Sequence, residues 1–557
     1  MSDNKQLRSP SALADIQHLK FLSDNLKSLL ENPIHSDVTL KVEDSLFPVH
    51  RIILASQSDY FRALLFGGLQ ESLPETREIE LKELRAVPFK AILRYIYCGC
   101  IDLSELKEED ILELLCLAHR YMVPNLVKAL CDYLKSSVNL SNICAIYDVA
   151  LLFNHESLVN SCENFIDSNA ENILLTDGFL QLSETAMFNI VSRNSFCAPE
   201  VDIFRGLLKW YENNHGADIK KIIPAVRLPL MTQDSLFEVV RPSGLVEPNL
   251  ILDALEMQLR GRYSQLQHRG ILLPNENQAT TAHGAQVIRG EIRVALLDGN
   301  TENYDLDRGF TRHPIDDNNG QGIVVKLGRP AIINFIKLLL WDRDPRSYSY
   351  YIEVSIDDDA YTRIVDHSQY LCRSWQLLQF EPVVARYIRI VGTHNTVNRV
   401  FHLVTFECLY STKSESIEDG LVVPSENVAT QENCATVVEG VSRVRNALIN
   451  GDFINYDWDS GYTCHQLNSG CIMVQLSQPY CIDSLRMLLW DCDDRRYSYV
   501  IAASVDGHHW DTIADCRNIH CRSWQTILFK KRPIVFGMFI LFFLVIKNEL
   551  KHELILL

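Results

Sequence analysis

The pentapeptide Cys-Arg-Ser-Trp-Gln occurs at Cys372–Gln376 and again at Cys521–Gln525, inside a much longer repetition. "NYDLDRGFT" around Tyr304 is answered by "NYDWDSGYT" around Tyr456, and "LLLWDRDPRSYSY" by "MLLWDCDDRRYSY". From Trp341 and Trp490 to Phe380 and Phe529 the copies run at a constant spacing of 149 residues without a gap. Residues 423–536 therefore repeat 273–387, the first copy carrying about three extra residues between Pro314 and Asn319, as loops tolerate. A period this long is not that of a solenoid, whose units run roughly 20–50 residues. One whole domain has been written twice. The runs "GIVVKLG", "FIKLLLW", "YYIEVSID", "YIRIVG" and "HLVTFECLY" are short and β-rich, and turns such as Asp298-Gly299-Asn300 separate them. That pattern predicts an all-β sandwich or barrel at 274–410 and again at 423–536. The polar, acidic stretch within 411–422 reads as a linker.

The N-terminal half has a different texture. Ile16, Leu19, Leu22, Leu26, Leu29 and Leu30 recur in steps that place them on one helical face, and Pro33 ends the pattern. Val38, Leu40 and Val42 alternate, Glu43-Asp44-Ser45 supplies a turn, and Leu46–Val49 returns, which predicts a hairpin. Helical periodicity resumes in Tyr60–Phe66, Phe89–Tyr97, Ile111–Arg120 and Leu126–Leu134, with a short strand at Arg77–Leu81. Residues 16–135 are thus a small α+β domain, and 136–261, where strand signals are scarce, an all-α one.

A net charge of −18 argues against nucleic-acid binding through a basic footprint. The N-terminus has no apolar core of a secretory signal, so the sixteen cysteines read as reduced thiols in a cytoplasmic protein. "CGC" at Cys98–Cys100 lacks partners at metal-ligand spacing. Gly67-Gly68 is followed by no Lys-Ser/Thr, which excludes a phosphate loop. No nucleophile stands in register with a base, so neither catalysis, cofactor nor metal is expected. The adjacent His508-His509 reads as surface, and "WDRDPR" and "WDCDDRR" as solvated ion-pair loops. In CRSWQ the tryptophan is expected to fill the core at a strand start, the arginine to tie the Asp-rich loop, and the cysteine to be a small buried group.

"HSDVTLKVEDSLFPVHRIILASQSDYFRALLFGGLQES" resembles a BTB (POZ) domain along its length, through Asp37, Phe47-x-x-His50-Arg51, Leu54-Ala55 and Ser58-x-x-Phe61. The helical segment after "VPNLVKALCDYL" is similar to the BACK domain that often follows BTB, and the repeated β domain resembles the discoidin, or factor five/eight type C, jelly-roll. The resemblance implies a homodimer through the first helix (Ile16, Leu19, Leu22, Leu26 and Leu29), with Asp37 and Arg51 as buried paired charges near the dimer groove. It also implies recruitment of cullin-three through a hydrophobic-x-Glu motif at Leu69, Gln70 and Glu71. The discoidin-type repeats would then hold a target protein on loops carrying Asn300, Tyr304, Asp305, Asp342, Arg343, Asp344 and Arg346. Acidic loops argue against an anionic membrane as the ligand. A rival reading keeps the dimer as a scaffold without a ligase role, its discoidin repeats binding protein, glycan or membrane; Phe453 and Trp458 in the second copy favour it. Extracellular discoidin domains typically clamp their ends with a disulfide, whereas here Cys408 stands alone near the end of the first copy and Cys434 near the start of the second.

After Phe536 the second copy departs from the first and reads "GMFILFFLVIKNELKHELILL". The expectation is an incomplete second domain lacking two closing strands, with a divergent apolar tail at 537–557. The apolar run Pro533–Ile546 is shorter than the roughly 20 residues a membrane span needs.

Overall fold

A computed structural model of the chain describes residues 18–31, 34–68, 70–260, 266–315, 322–413, 415–466, 470–543 and 553–556. It divides into two compact units. The first runs to Val246 without Arg193–Cys197 and Leu228–Gln233; those two segments and the chain from Glu247 onward form the second.

In the first unit, α1 spans Leu19–Glu31, so the predicted helix starts later than Ile16, which lies outside the described residues. Strands β1 (Val38–Val42) and β2 (Ser45–Val49) form the expected hairpin, turned at Glu43 with φ of 52°. Val38, Leu40 and Val42 all face inward, as their alternation requires. The predicted strand at Arg77–Leu81 is β3, Glu78–Glu80, which pairs parallel to β1. Around this sheet stand α2 (Arg51–Gln57), α3 (Asp59–Phe66), α4 (Ala86–Cys98), α5 (Glu108–Arg120) and α6 (Pro124–Ser137). Ser58 caps α3 by accepting the Phe61 N–H at 3.2 Å, and its hydroxyl donates to the Tyr121 carbonyl. That bond holds the α2–α3 corner over a core in which the Phe61 and Tyr121 rings stack at 4.8 Å. From α7 (Ile143–Leu152) and α8 (Glu156–Ser168) through Glu200–Asn213 the unit is helical, with Trp210 buried and its indole N–H donated to the Leu182 carbonyl at 2.8 Å.

The second unit contains both β repeats. The first has strands β4 (Gln286–Arg289), β5 (Thr311–Pro314), β6 (Ile323–Leu340), β7 (Tyr348–Ser355), β8 (Thr362–Cys372), β9 (Trp375–Asn395) and β10 (Val400–Leu409). They pair in the order β5-β10-β6-β9-β7-β8, with β4 on β6. Bulges in β6 and β9 bend these long strands around one closed core, which includes Ile336, Leu338, Tyr350, Ile388, Phe401, Leu403 and Phe406. Next come β11 (Ser416–Glu418) and β12 (Leu421–Val423), a small hairpin inside the stretch read as a linker.

The second repeat comprises β13 (Thr436–Glu439), β14 (Thr463–Gln466), β15 (Ile472–Leu488), β16 (Tyr497–Ser504), β17 (Asp511–Asp515), β18 (Trp524–Phe543) and β19 (Glu553–Leu556). Five of these form the sheet β13-β15-β18-β16-β17, while β14 and β19 pair apart from it. The expectation of two lost strands is corrected in part: β18 and β19 stand where the first repeat has the end of β9 and the start of β10. The apolar stretch after Phe536 continues β18 in register: Tyr499 opposes Leu541 as Tyr350 opposes Gly392 in the first repeat. The backbone N–H of Leu541 donates to His465 Nε2 at 3.0 Å, as that of Gly392 does to His313 at 2.9 Å. At Gly392 a Cβ would lie 2.3 Å from the Phe401 ring, so only glycine fits there. In the second repeat the buried Leu541 side chain stands at that position instead. Alternating burial needs apolar residues, not particular ones, so the strand persists where identity is lost. Pro533–Phe543, the described part of the apolar run read above as too short for a membrane span, is therefore strand, and no described helix is long and apolar enough to cross a membrane.

Candidate interaction surfaces

In the BTB-like unit, α1 packs on α4 and is tied to it by Ser23 Oγ, which donates to the Cys98 carbonyl at 2.7 Å. Leu26 and Leu29 are half-buried, while Leu22 is 58% and Phe21 68% exposed. The side chain of Leu19 lies outside the described residues, as does Leu69 altogether.

Asp37 and Arg51 meet, but not as the paired charges the resemblance implied. The Asp37 carboxylate accepts the backbone N–H of Arg51 at 2.8 Å, which caps the start of α2. The buried Arg51 guanidinium turns instead to carbonyls, donating to Glu71 at 2.8 Å and Thr76 at 2.6 Å, and at 3.4 Å to both Leu65 and Leu73. A planar fork with five donors suits that task. It fixes the turn Gln70–Ser72 and leaves the half-buried Glu71 side chain on a shaped loop rather than a loose one. The pattern of residue types signals that Arg51 is buried, but not that its partners are main-chain atoms.

At one end of the first β repeat, five of the seven loop candidates hold one another. Tyr304 donates its hydroxyl to Asp342 at 2.6 Å, and the Arg343 guanidinium lies 4.0 Å over the Tyr304 ring. Arg346 is paired with Asp344 at 2.7 Å and lies 4.3 Å over Trp341. Trp341 in turn donates its indole N–H to the Asp305 carbonyl at 3.0 Å. The Asp305 carboxylate accepts the N–H groups of Asp307 and Arg308, and the Asn300 side chain accepts those of Glu302 and Asn303. Those N–H bonds, that of Asp307 first, hold the Asp305 carboxyl below its usual range, and the Arg346 bond does the same for Asp344. Burial, reinforced by Asp342, pushes the Tyr304 phenol up. These groups are largely committed to shaping the loops, and among the exposed residues of 300–308 the large apolar one is Leu306, 71% exposed.

Residues 26–138 match the BTB/POZ domain, 143–241 the BACK (BTB And C-terminal Kelch) domain and 285–405 the F5/8 type C domain. Over 536 residues the chain is 54% identical to the BTB/POZ domain-containing protein 9 of Mus musculus, covering 96% of this chain and 87% of that one. The protein of the same name from Drosophila melanogaster is 47% identical over 514 residues, covering 92% and 70%. The chain belongs to the BTB/POZ domain-containing protein 9 family. A more distant likeness, 31% over 217 residues, links 38% of the chain to 34% of Kelch-like protein 40b of Danio rerio. The three matched domains are interaction modules.

In this member of the protein 9 family the two CRSWQ copies share a local geometry. Ser374 and Ser523 both adopt left-handed backbone, with φ of 60° and 59°. Arg373 and Arg522 each donate to an Asp carbonyl of the neighbouring loop, Asp342 at 3.3 Å and Asp491 at 3.1 Å, as expected of them. Both cysteines are buried, and burial raises both thiols above their ordinary pKa, so neither is a poised thiolate. The tryptophans correct the core expectation: Trp375 is half-buried under Lys337 and Trp524 exposed under Arg486, each cation 4.5 Å from the ring.

Their surroundings differ. Gln376 is fully buried and donates to the Ser477 carbonyl of the second repeat at 2.8 Å, while Arg373 N–H reaches the same carbonyl at 2.8 Å. Gln478 closes the joint reciprocally: its side-chain oxygen accepts Leu377 N–H at 2.6 Å and its amide donates to the Leu377 carbonyl at 2.8 Å. The joint was not read from the sequence. Its signal is that Ser477-Gln478-Pro479 stands where the first repeat has Gly328-Arg329-Pro330.

Proposed function

We propose that the chain is a cytoplasmic, non-enzymatic adaptor: its BTB domain dimerises and recruits cullin-three ubiquitin ligase, and its β repeats hold a target protein. The observation that carries this reading is the clamp of Arg51 on four carbonyls, which presents Glu71 on a fixed turn at the place where the family's cullin motif falls. A preformed turn lowers the ordering cost of binding. The BTB–BACK order matched over residues 26–241 supports it, as does the likeness to a Kelch-like protein. The exposed Phe21 and Leu22 on α1 suit a symmetric helix-to-helix contact. On this reading Leu69 supplies an apolar anchor, and the Tyr304–Asp342 and Asp344–Arg346 pairs shape the target-binding loops.

The test measures binding of the purified full chain to the N-terminal region of cullin-three. Glu71→Ala is expected to weaken it about tenfold, the loss of one good polar contact, while Phe21→Glu converts the dimer to monomer in light scattering. Absence of cullin-three binding with the dimer intact sinks the adaptor and leaves the scaffold. A specific observation favours that second reading: Phe453, Ile454 and Trp458 are exposed together on one loop of the second repeat. Flotation of the full chain with liposomes, lost on Trp458→Ala, would support it.

A further inference from the structure

Helix α4 ends at Cys98 and runs into Gly99 and Cys100. Gly99 closes the helix in the left-handed region, with φ of 70°, and its N–H donates to the Tyr95 carbonyl at 2.7 Å. Nothing lies within 4 Å of where a Cβ would stand, so the glycine serves the turn and not a close approach. That turn brings the flanking side chains together: the Sγ atoms of Cys98 and Cys100 are 3.5 Å apart. Cys98 is half-buried and its thiol also donates to the Arg94 carbonyl at 2.9 Å, while Cys100 is exposed. No third His, Cys, Asp or Glu joins them in a metal-sized cluster among the described residues, so the pair falls short of a tetrahedral metal set.

Two thiols in contact at the surface can close to a disulfide, whose sulfurs stand at about 2.05 Å. The thiols of Cys162, Cys372 and Cys408 lie fully buried, out of reach of an oxidant. Burial first, and then the bond to Cys100, hold the Cys98 thiol above its ordinary pKa, with Arg94 opposing them. The exposed Cys100 is therefore the thiol that meets the oxidant, and Cys98, already beside it, the one that resolves the intermediate. The oxidant required is a small disulfide of the oxidised glutathione type. The Cys100 thiolate attacks one of its sulfurs and expels one thiolate. Cys98 then gives its proton to water, attacks Cys100 Sγ and expels the second thiolate. One small disulfide is reduced to two thiols as one disulfide forms in the protein.

The Cys98 carbonyl joins this pair to α1, since Ser23 Oγ donates to it at 2.7 Å. Its carbon is a member of the ring that a Cys98–Cys100 disulfide would close, so closure must turn the acceptor that Ser23 uses. We propose that Cys98 and Cys100 are a reversible redox modification site, closing to a disulfide by exchange with small disulfides, and that closure releases the Ser23 bond and loosens α1 on α4. In a reducing compartment such a disulfide is transient and sensing rather than structural. The site stands independently of the adaptor reading.

The test incubates the full chain in glutathione buffers of graded oxidation, alkylates the remaining thiols and maps peptides by mass spectrometry. The peptide holding Cys98 and Cys100 should lose two hydrogens, regain them with dithiothreitol, and do neither in Cys98→Ser or Cys100→Ser. Hydrogen exchange in Leu19–Glu31 should be about fivefold faster in the oxidised protein, the worth of one hydrogen bond. Ser23→Ala should show the faster exchange already when reduced, and no further change on oxidation. Three outcomes would overturn the proposal: disulfides confined to other cysteines, glutathione left on Cys100 without displacement by Cys98, or α1 exchange indifferent to oxidation.

Discussion

The two β repeats carry the same pentapeptide on the same left-handed serine turn, yet the strands that follow live in different surroundings. After Trp375, residues Gln376, Leu378, Gln379 and Phe380 are buried; after Trp524, Thr526 and Leu528 are exposed and Gln525 only half-buried. The first repeat is closed by β10 and its CRSWQ edge is covered by the second repeat. Among the described residues, Ser484–Leu488 of the second repeat pairs with β18, and its own CRSWQ edge has no such cover. A motif repeated letter for letter therefore sets a turn, while neighbouring strands decide whether that turn is a joint or a surface.

The sharpest way to break this contrast is in the closing strand. Phe406→Ala removes a buried ring from a complete core and should cost about 3–5 kcal/mol in urea unfolding. Leu485→Ala, half-buried in β15 of the second repeat, should cost about 1 kcal/mol. Equal losses would mean that the two cores are equally closed. A smaller contrast lies in the pentapeptide. Gln376→Ala leaves the buried Tyr350 hydroxyl without its 3.0 Å acceptor and the Ser477 carbonyl with one donor fewer, for a loss of about 1–3 kcal/mol. Gln525→Ala removes the longer 3.3 Å acceptor of the Tyr499 hydroxyl but no bond to another repeat, and should cost less, about 1 kcal/mol.

Acid should also tell the repeats apart. Burial lowers the pKa of His402 to about 4 and that of His367 to about 3, against an ordinary 6.5. Below pH 6.5 the unfolded chain takes up protons that the folded one refuses, so stability falls as pH drops from about 6.5 to about 4 and the His402 contribution then levels. The matching positions in the second repeat are Ile555 and Cys516, which bring no imidazole. Hydrogen exchange between pH 7 and 4.5 should show the first repeat loosening more, and His367→Gln with His402→Gln should flatten that dependence. The smallest expected effect is a likeness rather than a difference: Lys337→Ala and Arg486→Ala each lose a partly exposed cation–π contact, about 0.5 kcal/mol apiece. A markedly larger cost for Lys337→Ala would assign the excess to its cross-strand neighbour Glu407.

Much of this architecture is written in the order of residue types. The spacing of 149 residues gave the duplication, alternation in Val38–Val42 gave a strand, and the register of Leu69–Glu71 within the BTB pattern placed the cullin candidate. Candidate roles were less legible. Asp37 and Arg51 were expected as a charge pair, but a guanidinium reaching backbone carbonyls leaves no trace in the chain, since every residue carries a carbonyl. The ion-pair reading of the Asp-Arg loop holds in Asp344 and Arg346, but that the Asp305 carboxylate would be taken by the N–H groups of Asp307 and Arg308 was not legible.

Sequence by itself determined which segments fold alike, because periodicity and polarity fix local structure and the face that must be buried. It did not determine where likeness of fold would stop. After Phe536 the residues cease to match, yet β18 runs on to Phe543 because any apolar alternation satisfies a buried strand between β15 and β16. Only the tertiary structure decided that one CRSWQ docks on the neighbouring repeat while the other has no such cover among the described residues. Those properties depend on which neighbour arrives at an edge, and an edge is made of main-chain groups that every sequence shares.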